Sequence, residues 1–338
     1  MTQDSEAIGA VAHSIHPISP DVPFVDEPIA NVVDRRSVRY VVRQLFSNSS
    51  SIIGTVLLTA FAVIALAAPL LAPCPDDPRQ QRRCGPDPYN VPRYGFSQVP
   101  IPPNDVYRFG TTPTQYDIYY GVVWGARTAF KVGVVIVGLS LLIGLTIGAL
   151  AGYYGGWIDE GLMRVVEVFQ AFPFLLAAIT LATILRTNPN FTGTMPAILA
   201  LVAFGWTGYA RLVRADILSV KQREYVWAAR SLGAGDRQII MRHVLPNSIF
   251  PVLVVASLDI GTVVLSFAAL SFFGLGVPDG YADWGQMISS ARTRIPSLVE
   301  DWYIVLFPGG AIALFSLGWN LIGDTIRDIL DPRLAGGE

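Results

Sequence analysis

Charge is scarce in this chain of 338 residues: Asp, Glu, Lys and Arg make up 15% of it, where a soluble enzyme carries roughly a quarter. Lysine occurs only at Lys131 and Lys221, preceded by Phe130 and Val220, so the chain has no Gly-Lys pair ahead of Ser or Thr to cradle a nucleotide phosphate, and it is not expected to hydrolyse ATP itself. The three histidines, His13, His16 and His243, are scattered, and the two cysteines have no zinc or haem spacing. No metal ligands, cofactor or catalytic residues are therefore expected. The formal net charge of −2 leaves no basic footprint for nucleic acid.

What the chain has instead is apolar length. Apolar residues make up 52% of it. They cluster into six runs, Ile52 to Ala72, Phe130 to Tyr153, Val165 to Leu185, Met195 to Val213, Ile249 to Val277 and Tyr303 to Ile326. Runs of about twenty residues at ~1.5 Å per residue cross ~30 Å of hydrocarbon. The expected fold is an all-α membrane protein of six transmembrane helices. Residues 1–34 read as a flexible cytoplasmic tail, and 35–72 as a basic segment (Arg35, Arg36, Arg39, Arg43) with an uncleaved first helix. Residues 73–127 read as a proline-rich extracytoplasmic loop, 128–334 as a five-helix core, and 335–338 as a short tail.

Basic residues set the orientation. Arg211, Arg214, Lys221, Arg223, Arg230, Arg237 and Arg242 lie between the fourth and fifth runs, and six spans put the N-terminal arginines, Arg327 and Arg333 on the same side. Both termini are expected in the cytoplasm. Cys74 and Cys84 then fall outside, where a disulfide survives; such a bridge either stiffens a docking surface or simply staples the loop. Gly144, Gly148 and Gly152 form a small-residue stripe that suits close helix approach, within the chain or to another subunit. Asp259 stands deep in the fifth run, where a carboxylate must face protein or water. It is a candidate for the transport pathway, with a structural hydrogen bond as the alternative. Arg164 and Glu167, one turn apart, read as a structural pair.

The stretch EYVWAARSLGAGDRQIIMRHVLPN, Glu224 to Asn247, lies in the basic loop 218–247 yet is patterned as two short helices. Glu224 suits a helix N-terminus, Ala228 and Ala229 are small, Gly233 can supply a left-handed end, and Gly235-Asp236 can cap a second helix running to Pro246. The stretch resembles the EAA loop of ATP-binding-cassette importer permeases: Ala228, Ala229, Gly233, Leu245 and Pro246 match in register, with Trp227 and His243 replacing the motif's glutamate and isoleucine. LSFFGLGVP (270–278), Asp283-Trp284-Gly285, FPGGAIALFSLGWNLIGD (307–324), RDILDPRL (327–334), LMRVVEVFQAFPFLLAA (162–178) and Gly125-Ala126-Arg127 are similar to the C-type permeases of dipeptide, oligopeptide and nickel importers. The outer run GTTPTQYDIYYG departs from that pattern at Thr112 and Tyr116.

The resemblance implies a type I importer permease fold and half of a translocation pathway for peptides, with nickel chelates or another small solute as alternatives. The implied partners are a homologous second permease, two cytoplasmic ATPases, an extracytoplasmic solute-binding protein and the cell (inner) membrane bilayer. The residues that contact the ATPase would be Glu224, Ala228, Ala229, Leu232, Gly233, Leu245 and Pro246. The competing class is an ion-coupled secondary carrier, which should show an internal repeat and broken-helix binding sites; no repeat is visible.

Overall fold

The computed structural model describes residues 48–74, 87–95, 99–297 and 299–330. The described residues are helical throughout their long elements, and strand pairing is confined to isolated bridges such as Asn90 with Tyr281. Helix α1 spans Ser49–Leu71, α2 Ile118–Tyr154, α3 Gly156–Gln170, α4 Phe174–Arg186 and α5 Met195–Val220. Helices α6, Glu224–Ser231, and α7, Asp236–Ile239, follow. A π-helical turn, Ile240–Val244, leads into α8, Leu245–Phe272. Helix α9, Trp284–Ser290, a 3₁₀ turn and α10, Tyr303–Leu330, complete the described residues.

Among the described residues five helices are long and apolar enough to cross a membrane, and the number is six if the bent pair α3 and α4 counts as one span. Here the expectation from sequence needs correcting. The apolar run Val165 to Leu185 is not one straight helix but an elbow of 85° between α3 and α4. Its cause is local: Pro173 cannot donate to a preceding turn and disfavours helical geometry at Phe172, so α3 ends and α4 restarts after the proline. Helix α2 likewise starts twelve residues before its apolar run, at Ile118, where Asp117 caps it by accepting from the Tyr120 amide at 2.9 Å. Residues 118–127 are thus helical.

Ser51 and Thr325 share a hydrogen bond of 2.6 Å, which places the start of α1 and the end of α10 together at what we call the near end. At the far end, Trp124 Nε1 donates to the Ala72 carbonyl at 3.0 Å. Leu58, Phe61 and Ala65 of α1 pack on Ala126 and Ala129 of α2 and on Phe315 of α10, whose ring meets Phe61 edge-on. The outward faces of α1 and α2 leave Val56, Val63, Leu66, Leu142 and Ile143 exposed, as hydrocarbon contact requires.

The glycine stripe packs inside the chain. A Cβ on Gly144 would lie 2.7 Å from the Trp206 carbonyl, and one on Gly148 would lie 2.5 Å from the Ala210 carbonyl. Helices α2 and α5 therefore approach backbone to backbone, the intrachain reading of the two the sequence allowed.

Candidate functional site

The stretch Glu224 to Asn247 sits at the near end and is built as a rigid corner. Gly233 has φ +81°, and its amide donates to the Arg230 carbonyl while the Ala234 amide donates to the Ala229 carbonyl at 3.1 Å. That double closure is a Schellman end, with glycine at the one position that needs left-handed backbone. Glu224 occupies the first turn of α6, where its charge complements the helix dipole. Beyond the corner Gly235 precedes the short α7, but Asp236 does not cap it; its Oδ1 accepts from Tyr153 Oη at 2.6 Å instead.

The second helix does not stop at Pro246. The π turn Ile240–Val244 widens the spiral just ahead of the proline, making room for its ring, and the backbone continues into α8. Side chains take over carbonyls near the proline: Asn247 Nδ2 donates to the His243 carbonyl at 2.6 Å and Ser248 Oγ to that of Val244 at 3.0 Å. From Asp236 onward this segment and the fifth span are one continuous element.

The corner has two faces. Val226, Ile239 and Val244 are buried with Val213 and Ile217 of α5 and Val252 of α8. Tyr153 and Lys221 tie the same region to the end of α2, Lys221 Nζ donating to the Gly152 carbonyl at 2.8 Å. The other face is open. Leu232 is 89% exposed and Trp227 57%, and Ala228, Gly233 and Pro246 are also exposed, whereas Ala229 and Leu245 are half-buried. All seven residues singled out from sequence therefore lie in one segment, with Ala228, Leu232 and Gly233 at its accessible apex.

Asp259 lies mid-way along α8 and accepts a hydrogen bond from Tyr209 Oη at 2.7 Å. It also lines a pocket of about 270 Å³ between α2, α5 and α8, closed on one side by Gln170 and Phe174 of the elbow. Tyr209 was not foreseen, because its proximity depends on how α5 packs on α8. Nor was Asp159, which receives Arg214 bidentately, Nη2 to Oδ2 at 2.6 Å, and fastens α3 to α5. Arg164 and Glu167 pair at 3.2 Å on an exposed surface, a contact of small energetic weight.

At the far end Asp283-Trp284-Gly285 forms a plug. Trp284 Nε1 donates to the Val122 carbonyl at 3.0 Å, and a Cβ on Gly285 would lie 2.1 Å from the Ala268 carbonyl. Thr128 Oγ1 donates to the Ala282 carbonyl at 2.8 Å, and the Tyr89 and Tyr281 rings stack at 5.3 Å. Asp283 caps α9 from a buried position, accepting from the Gln286 amide at 2.9 Å. Burial pushes its carboxyl up from the ordinary 3.8 to about 6, against the opposing pull of the Gln286 amide.

Below the unfolded value both states hold the proton and the group is neutral to stability. As pH rises through 4 to 6 only the unfolded chain ionises, so folding loses up to about 3 kcal/mol, a loss that is constant above pH 6. Asp283→Asn keeps the capping oxygen and removes the titration. We expect its thermal midpoint in detergent to match the parent at pH 4 and exceed it at pH 7.5; the same difference at both pH values would refute the assignment.

The charge-poor spans, the elbow and the near-end corner fit a multi-pass membrane transport subunit. Residues 144–336 match the family described as binding-protein-dependent transport system inner membrane component, and residues 38–88 match the N-terminal TM domain of oligopeptide transport permease C. The chain is 36% identical over 296 residues to the dipeptide transport system permease protein DppC of Alkalihalophilus pseudofirmus, covering 88% of this chain and 90% of that relative. It is 32% identical over 293 residues to the oligopeptide transport system permease protein OppC of Bacillus subtilis, covering 85% and 87%. Among solved structures, an inward-facing MetNI methionine ABC transporter aligns with 63% of this chain and 97% of its own at TM-score 0.48 and 20% identity. The chain belongs to the family of binding-protein-dependent transport system inner membrane components, and is the permease subunit of an ATP-binding-cassette importer with the type I permease fold.

Proposed function

We propose that this chain forms half of the translocation pathway of a peptide importer, lying in the cell (inner) membrane with both termini and the near end in the cytoplasm. The observation that carries this is the near-end corner. Its apolar apex, Trp227, Ala228 and Leu232, faces outward from a glycine-locked turn whose other face is built into α2, α5 and α8. Such a surface transmits a push from a partner into the spans. Hydrolysis of ATP would belong to separate subunits seated on that apex. A homologous permease would supply the second half of the path, and a solute-binding protein would dock at the far end. The names of the relatives, dipeptide and oligopeptide transport permeases, support peptides as the solute.

Reconstitution tests the reading. Proteoliposomes holding this chain with its companion permease, ATPases and binding protein should accumulate di- or oligopeptides only with ATP inside the cytoplasmic-facing compartment. Uptake by this chain alone, driven by an ion gradient, would overturn it.

The far-end loop would carry a disulfide between Cys74 and Cys84. No described cysteine is a free thiol, which supports the pairing, and Cys84 itself lies outside the described residues. The short loop would add about 2–3 kcal/mol of local order. Mass mapping of unreduced peptides should find the bridged pair; two alkylated thiols would eliminate it.

A further inference from the structure

The pocket between α2, α5 and α8 is polar in a specific way. Asp259 is the one charged residue in the 28-residue α8. Its Oδ2 accepts a hydrogen bond from the Tyr209 hydroxyl at 2.7 Å, and its Oδ1 carries no hydrogen bond among the described residues. Across the pocket Ser140 of α2 is 2% exposed, and its Oγ has no hydrogen-bond partner. A buried hydroxyl without a partner is unfavourable, and the carboxylate oxygen of Asp259 stands open to the pocket beside it. Among the described residues no Lys, Arg or His lines the cavity to meet either.

What is missing is a compact cation with several donors. A primary ammonium presents three N–H groups and no acceptor, which matches the free carboxylate oxygen, the Ser140 oxygen and the remaining lone pair of Tyr209. Phe174 and Phe204 add ring surface to the same wall, favourable to a desolvated cation. At about 270 Å³ the pocket falls below the size of sites that enclose a drug-sized molecule, so it fits one end of a solute and not the whole.

We propose that this pocket is a binding subsite for a primary ammonium, the charged amino end of the transported solute, held by Asp259 with the oxygens of Ser140 and Tyr209. The inference depends on the reading of this chain as half of a peptide pathway and adds to it a recognition step inside the membrane.

The probes are glycinamide, which carries the ammonium, and N-acetylglycinamide, which lacks it. Each is titrated at constant ionic strength into the complete permease–ATPase complex in lipid nanodiscs, without the binding protein, and the thermal midpoint is followed. Glycinamide should raise the midpoint in a saturable way and the acetylated compound should not. Asp259→Asn should abolish the response, and Ser140→Ala should weaken the affinity about tenfold. Equal shifts by both compounds, no shift by either, or a full response in Asp259→Asn would overturn the subsite. Should Asp259→Asn fail to assemble, Ser140→Ala decides alone, since it removes one oxygen and an unchanged affinity there would refute the proposal. ATP-driven peptide uptake is measured on the same purified complex reconstituted with the binding protein into proteoliposomes. Uptake without a glycinamide response retires the subsite alone, and absence of uptake retires the pathway reading.

Discussion

Replacing Gly148 by valine is expected to prevent α2 and α5 from closing on each other, with a loss of about 3 kcal/mol or more in stability. The new Cβ would stand 2.5 Å from the Ala210 carbonyl and 2.8 Å from the Val213 Cβ. The first neighbour is backbone, so no rotamer change can relieve it, and the helices must part. Their separation would also disturb the neighbouring Tyr209, whose Cβ would come within 2.5 Å of a side chain at Gly144. Gly138→Val on the same helix supplies the control, because a Cβ there meets nothing within 4 Å. Thermal midpoints and the monodisperse fraction of the purified chain in detergent compare the two. Equal stability of both variants would show that the stripe does not hold the helices together.

The second large effect is expected at the near-end corner, in transport and not in folding. Valine at Gly233 must adopt φ near +81°, which costs about 1–2 kcal/mol for a residue with a side chain and more for a β-branched one. A Cβ there touches nothing, so the strain would be relieved by opening the Schellman turn and swinging α6 away. Leu232→Glu probes the same apex without touching the backbone, since that side chain is 89% exposed. Both variants should insert and purify normally, and both should lose peptide uptake at least about tenfold, because one misplaces the docking surface and the other puts a charge where apolar contact is needed. Uptake at the parental rate in Leu232→Glu would remove this apex from the coupling contact.

Features set by a few neighbouring residues were legible in the sequence. The apolar runs located the spans but not all their ends, since α2 begins twelve residues ahead of its run and α5 ends seven beyond its own, and Gly233 announced a left-handed helix end because few other residues tolerate one. The elbow at Pro173 was legible in principle, from Phe172-Pro173 inside an apolar run, yet hydropathy averages over it and reports one straight span. Helix α2 extends beyond its apolar run because residues Ile118–Arg127 mix aromatic, small and basic side chains, and their helicity comes from packing against Trp284, Met287 and Val91. The passage through Pro246 was hidden for a different reason. Proline argues for a helix end, and only the preceding π turn allows it inside one. The partners Tyr209 and Asp259 stand fifty positions apart, as do Asp159 and Arg214 at fifty-five, and no local pattern links such pairs.

The unbroken run from Asp236 to Phe272 gives the molecule a lever. Its 37 residues extend about 55 Å, from the corner at one end to the far-end plug, where Ser289 Oγ holds the Phe272 carbonyl at 2.7 Å. A tilt of about 5° around the middle of such a rod carries each tip roughly 2.5 Å in opposite senses, while a point five residues from the centre moves under 1 Å. Asp259 occupies that point, beside the fulcrum. Under the proposed coupling, a push on α6 would shut one mouth and open the other, leaving the pocket at Asp259 almost stationary between them.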